Sequence, residues 1–124
     1  MSYYTGFIVA VPTANRQLFV EHVRASWPLF KSWGALRMVE TWGADVPKGQ
    51  VTDFYSAVKA KESETVVFSW IAWPDKETAD EASRKMQTDP ATQELPAMPF
   101  DGQRLVFGGF EPVFDSELHR EESV

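Results

Sequence analysis

The chain has no cysteine among its 124 residues and only two histidines, His22 and His119. Disulfides, thiolate nucleophiles and cysteine-ligated metals are therefore excluded, as fits a reducing compartment. Two separated histidines do not make a transition-metal site, and the helix predicted over 75–88 has no histidine to serve as a haem ligand, so neither metal nor cofactor is expected. Twelve basic residues against eighteen acidic ones give a net charge of −6, which repels phosphate backbones. The densest basic pair, Lys59 and Lys61, is diluted at once by Glu62 and Glu64, so no nucleic-acid partner is expected. No apolar run approaches the ~20 residues of a membrane helix, and Met1-Ser2-Tyr3-Tyr4 opens no signal peptide. A cytoplasmic protein with no membrane partner follows. Phe107-Gly108-Gly109-Phe110 lacks the spacing and context of a phosphate loop and predicts a bulge or close backbone approach. No catalytic motif of recognised spacing is present.

What the chain does have is two strand candidates that are apolar on both alternating faces. Residues 6–11 contain Phe7-Ile8-Val9-Ala10-Val11, and residues 65–73 contain Val66-Val67-Phe68-Ser69-Trp70-Ile71-Ala72-Trp73. A sheet with one solvated face reads as clean alternation, so a second apolar face needs a cover. An obligate homodimer is the expectation, with either the Phe68, Trp70 series or the Val67, Ile71 series facing the partner.

The remaining pattern sets these strands in the order β-α-β-β-α-β. After Pro12, Thr13 or Asn15 is a cap candidate for a helix with Phe19, Val23, Trp27 and Phe30 on one face, and Gly34 ends it. Pro28 inside this segment predicts a kink near 24–28 or a restart. Residues 36–42 alternate, with Leu36, Met38, Glu40 and Trp42 on one side and Arg37, Val39 and Thr41 on the other. Asp75 caps a second helix carrying Ala79, Ala82 and Met86, and residues 104–114 give a last strand broken at Gly108-Gly109. The fold class is α+β: a ferredoxin-like four-stranded antiparallel sheet with both helices on one face and the first and third strands central. One domain spans 1–114, and 115–124 is a charged tail. The connection 44–64 is far longer than a hairpin needs, and Val51, Phe54, Tyr55 and Val58 predict that 51–58 is an ordered arm, with a lid over a pocket as the alternative.

Glu40 is the foremost catalytic candidate, because a carboxylate in an apolar side-chain series has its proton affinity raised toward that of a general base. The bland alternative is an ion partner of Arg37 or of a loop amide. His22, one residue off the apolar helix stripe, is the second catalytic candidate. Arg37 is a candidate for stabilising oxyanion charge, Asp45 for orienting a ligand, and Trp42 and Trp70 for an aromatic floor, although strand tryptophans are first of all core or interface anchors. Asp53 and Asp45 sit in turns where an Asp often bonds its own backbone.

The strings Val39-Glu40-Thr41-Trp42-Gly43, Asp45-Val46-Pro47, Ala57-Val58-Lys59-Ala60-Lys61-Glu62, Glu64-Thr65-Val66-Val67-Phe68-Ser69-Trp70-Ile71, Met98-Pro99-Phe100-Asp101-Gly102 and Gly108-Gly109-Phe110-Glu111-Pro112 resemble the YbaA-like family of bacterial proteins. That family is a domain of unknown function. The resemblance implies a dimeric α+β barrel, two ferredoxin-like sheets packed face to face, an architecture that serves cofactor-free monooxygenases, small isomerases and ligand-binding regulators alike. The combined expectation is a homodimer holding a small, partly apolar molecule in a helix–sheet cleft near Glu40, Trp42, His22 and Asp45. Its chemistry would be cofactor-free proton transfer or oxygenation. The alternative is a non-enzymatic binding or interaction module.

Overall fold

A computed structural model describes residues 2–117; His119 and most of the expected tail lie outside the described residues. Strand β1 (Tyr3–Pro12) leads through a 3-10 turn into helix α1 (Arg16–Ser32), followed by strand β2 (Arg37–Glu40) and a one-turn helix α2 (Phe54–Ala57). Strand β3 (Glu64–Trp73), helix α3 (Lys76–Thr88) and strand β4 (Val106–Phe110) complete the order. The sheet runs β2-β3-β1-β4 with every pairing antiparallel, so the two apolar strands are central as expected. The fold is α+β and ferredoxin-like.

Cross-strand register assigns each residue to a face. Thr5 opposes Ile71, Phe7 opposes Ser69, Val9 opposes Val67, and β2 adds Met38 and Glu40 opposite Ile71 and Ser69. This face lies under the helices, where Val9, Val11, Phe19 and Val67 form one buried cluster and Trp33, Ile71, Trp73, Ala79 and Ala82 another. Tyr4, Ile8, Val66, Phe68, Trp70, Arg37, Val39 and Phe110 belong to the opposite face. Of the two series proposed for partner contact, Val67 and Ile71 are thus committed to the helices, which leaves Phe68 and Trp70.

Several local expectations are corrected. Helix α1 is assigned continuously through Pro28, with no restart. Proline removes only the bond to the Arg24 carbonyl, and both residues are exposed, so water can serve that oxygen. Neither Thr13 nor Asn15 caps α1 with its side chain; the Asn15 amide donates instead to the Pro99 carbonyl at 3.0 Å. At the other end the chain turns at Gly34, φ 106°, where a Cβ would lie 2.5 Å from Thr78 Cγ2, so glycine is required there. Asp75 does cap α3, accepting from the Thr78 N–H at 2.7 Å. Strand β2 is shorter than the expected 36–42, because beyond Glu40 the chain follows β3 only through isolated bonds, Thr41 Oγ1 to the Phe68 carbonyl and Gly43 N–H to the Val66 carbonyl. Strand β4 is shorter than 104–114 but unbroken. Gly108 and Gly109 pair in register with Gly6 and Thr5, so there is no bulge, and Gly109 provides the close approach, with the Tyr3 hydroxyl 2.0 Å from where its Cβ would be.

The long connection folds back over one end of the open sheet face. Val58 is fully buried with Ala10 and Val66, Tyr55 and Ile8 pack on them, and the Phe54 ring meets Phe68 edge-on at 6.1 Å. Its short helix α2 is capped by Asp53, which accepts from Ser56 N–H and Gly49 N–H, the bland role weighed for that residue. Val51 departs from the expected arm and is fully exposed. The arm is fastened by Arg104, whose guanidinium makes two bonds of 2.8 and 2.7 Å to the Glu64 carboxylate and a third to the Lys59 carbonyl.

Candidate functional site

Glu40 ends β2 on the helix-covered face, directly beside Ser69 of β3. Ser69 is the one polar residue in the run 66–73, is fully buried, and its hydroxyl donates to Glu40 Oε1 at 2.7 Å. Burial pushes the Glu40 carboxyl up to about 6, and the Ser69 bond acts in the opposite direction. Neither Arg37 nor a loop amide pairs with it. At neutral pH about a tenth of such carboxyls hold a proton, so the group both accepts and returns protons readily.

Helix α1 forms the opposite wall. Arg16, Phe19, Val20, Val23 and Arg24 recur at intervals of one helical turn and, with Glu40, Thr41 and Trp42, line a groove of about 440 Å³. The Trp42 ring packs 5.9 Å from Phe19 and lies 5.6 Å beneath the Arg16 guanidinium. Arg16 and Arg24 stand two turns apart at the rim, about 12 Å along the axis, and among the described residues neither forms an ion pair. One flat aromatic wall, one poised carboxyl and two guanidiniums without carboxylate partners share a single solvent-open groove.

Of the residues singled out in the sequence, Glu40 and Trp42 meet here and the others do not. His22 points to the other flank of α1, with Nδ1 3.0 Å from the Pro96 carbonyl and its ring edge-on to Phe100. Helical rotation explains this, since His22 is turned by about 160° from Val20 and about 100° from Val23. Arg37 and Trp70 occupy the opposite sheet face, as one-residue alternation requires of a neighbour of Met38 and of Ser69. Asp45 is exposed in the connection beyond the groove. Arg16, Arg24 and Ser69 went unread in the sequence. The signal for the arginines was their spacing around Val20 and Val23, and for Ser69 its isolation among apolar neighbours. Among the described residues no three His, Asp or Glu side chains converge as a metal-binding group, and no helix is long and apolar enough to cross a membrane.

Comparison with known proteins gives a family. A family model described as "Protein of unknown function (DUF1428)" matches residues 2–102. The uncharacterised protein YbaA of Escherichia coli K12 is 53% identical over 116 residues, covering 93% of this chain and 99% of YbaA. YbaA of Shigella flexneri matches with the same identity and coverage. Among solved structures, a crystal structure described as a dimeric ferredoxin-like protein from an uncultured marine organism aligns over 89% of this chain and 92% of that one, with a TM-score of 0.46 and 16% identity.

Proposed function

The chain belongs to the DUF1428 family, and we propose that it acts as a homodimer that binds a small, planar organic anion in the groove between α1 and β2 and moves a proton on it through Glu40. The observation that carries this reading is the state of Glu40: a carboxyl with its proton affinity raised by burial to about 6, held by a single hydroxyl, with no charged partner among the described residues. A structural carboxylate ordinarily has a cation or several N–H donors, as Glu64 does in this same protein. In the proposed reaction Arg16 or Arg24 takes the substrate carboxylate and Trp42 lies along its apolar body. Glu40 removes a proton from the carbon beside a carbonyl, the C–H electron pair forms the carbon–carbon double bond as the C=O π pair moves onto oxygen, and Glu40 returns the proton to that oxygen. No cofactor takes part in this step.

Phenylpyruvate offers each of these features, so its keto–enol conversion in the presence of the protein is the test. Wild-type protein is expected to accelerate it. Glu40→Gln is expected to lose about a hundredfold or more in rate while still binding, and loss of either arginine should weaken binding. Equal rates for wild type and Glu40→Gln would refute the catalytic role. One observation favours the alternative of a binding module without turnover: among the described residues Glu40 is the only carboxyl or imidazole lining the groove. Saturable binding of phenylpyruvate with no rate above solution would decide for it.

Dimerisation rests on the open sheet face. Phe68, Phe110 and Val106 are each about half exposed there, next to half-buried Trp70, and the arm covers only one end. Apolar side chains left this open on one sheet face are the kind of surface that a partner covers, which supports the dimer.

A further inference from the structure

The helix-covered side of the sheet holds a second space, separate from the Glu40 groove and of opposite chemistry. It lies between β1, β3, β4, α1 and α3, has a volume of about 220 Å³, and among the described residues no charged one lines it. Phe30, Ile71 and Trp73 form its inner walls, while Met86 and Phe107, 47% and 72% exposed, stand where it opens between α3 and β4. Native cores leave few voids larger than a water, and an engineered apolar cavity of about 150 Å³ is large enough to take up benzene. This one is larger.

The two polar side chains in the lining define what it accepts. Thr5 Oγ1 takes the Trp73 indole N–H at 3.0 Å, which leaves the Thr5 hydroxyl proton as a donor. Ser83 Oγ donates to the Ala79 carbonyl at 3.2 Å, which leaves its oxygen as an acceptor. An ion has no counter-charge here and would be desolvated without compensation. A neutral apolar body fits, with at most one hydroxyl or carbonyl to meet Thr5 or Ser83. We propose that this cavity is a binding site for a neutral, ring-sized apolar molecule, distinct from the anion groove.

The test uses naphthalene as the probe and 2-naphthoate as its charged counterpart, followed by methyl NMR of Ile71 and Met86 in the full-length protein. Naphthalene is expected to bind saturably, one per chain, with both methyl groups shifting, and 2-naphthoate at least tenfold more weakly at these methyls. Ala82→Leu, which fills the cavity from α3, should lower naphthalene affinity at least tenfold and leave phenylpyruvate binding in the Glu40 groove unchanged. Should Ala82→Leu fail to fold, Met86→Trp at the exposed mouth is expected to block entry with the same loss. Absence of saturable binding, or equal affinity in wild type and whichever of these variants folds, would overturn the proposal. Equal binding of 2-naphthoate at the same methyls would overturn the chemical class.

Discussion

At the scale of residues, Glu40 makes its environment measurable through pH. Its carboxyl is raised from 4.5 to about 6 in the folded chain, so the native state binds more protons than the unfolded one between those values. The sign follows: the stability of the wild type falls as pH rises from 4.5 through 6, and above 6 the buried charge is a fixed cost. The shift corresponds to about 2 kcal/mol. Glu40→Gln keeps an oxygen for the Ser69 hydroxyl and removes the charge, so it is expected to be more stable than wild type by about 1 to 2 kcal/mol at pH 8, with the gap closing below pH 4.5. Urea denaturation at the two pH values checks this, and a variant less stable at pH 8 would contradict it. Glu40 was legible in the sequence because a carboxylate in the series Leu36, Met38, Trp42 is out of place on an apolar face. Ser69 was not, since its meaning depends on pairing with a residue 29 positions away. His22 misled for a related reason: adjacency to a helix stripe does not say which flank of the helix the cleft lies on.

At the scale of elements, the connection 44–64 and the segment before β4 depend on Arg104. Its guanidinium binds Glu64, which is 5% exposed, along with the Lys59 carbonyl and Asp101. The Arg104 bonds hold the Glu64 carboxyl down at about 2. This contribution is fully present above 4.5 and is lost as pH falls from 4.5 toward 2. Arg104→Met is expected to be less stable than wild type at pH 7, because it leaves the Glu64 carboxylate without its guanidinium partner, and the difference from wild type should shrink below pH 3. Amide exchange across 54–60 should rise in the same variant, and protection unchanged there would separate the arm from Arg104. Strand order and helix faces were readable from periodicity, as Val66 to Trp73 and the Ala79, Ala82 stripe illustrate. The path of the arm was not, because the burial of Val58 against Ala10 and Val66 is a long-range contact that local pattern does not encode, whereas Val51 two residues before Asp53 looks equally apolar and stays in solvent.

At the scale of the whole molecule, the two sheet faces differ: one carries the helices, the groove and the apolar cavity, and the other is the face proposed above to meet a second copy of the chain. Phe68 lies at the centre of that second face, 48% exposed and in ring contact with Trp70 and Phe54. Phe68→Asp is expected to reduce the light-scattering mass from two chains to one at micromolar concentration, with helical content retained because the core beneath α1 and α3 is untouched. A wild-type mass of one chain would remove the dimer. The measurement that reaches the central claim most directly is a titration of phenylpyruvate into isotopically labelled protein, read as chemical-shift changes along the sequence. Shifts confined to Arg16, Val20, Val23, Arg24, Glu40 and Trp42 are expected, with Phe68, Trp70 and Phe110 unmoved. Shifts centred on Phe68, Trp70 and Phe110, or none at saturating concentration, would contradict it.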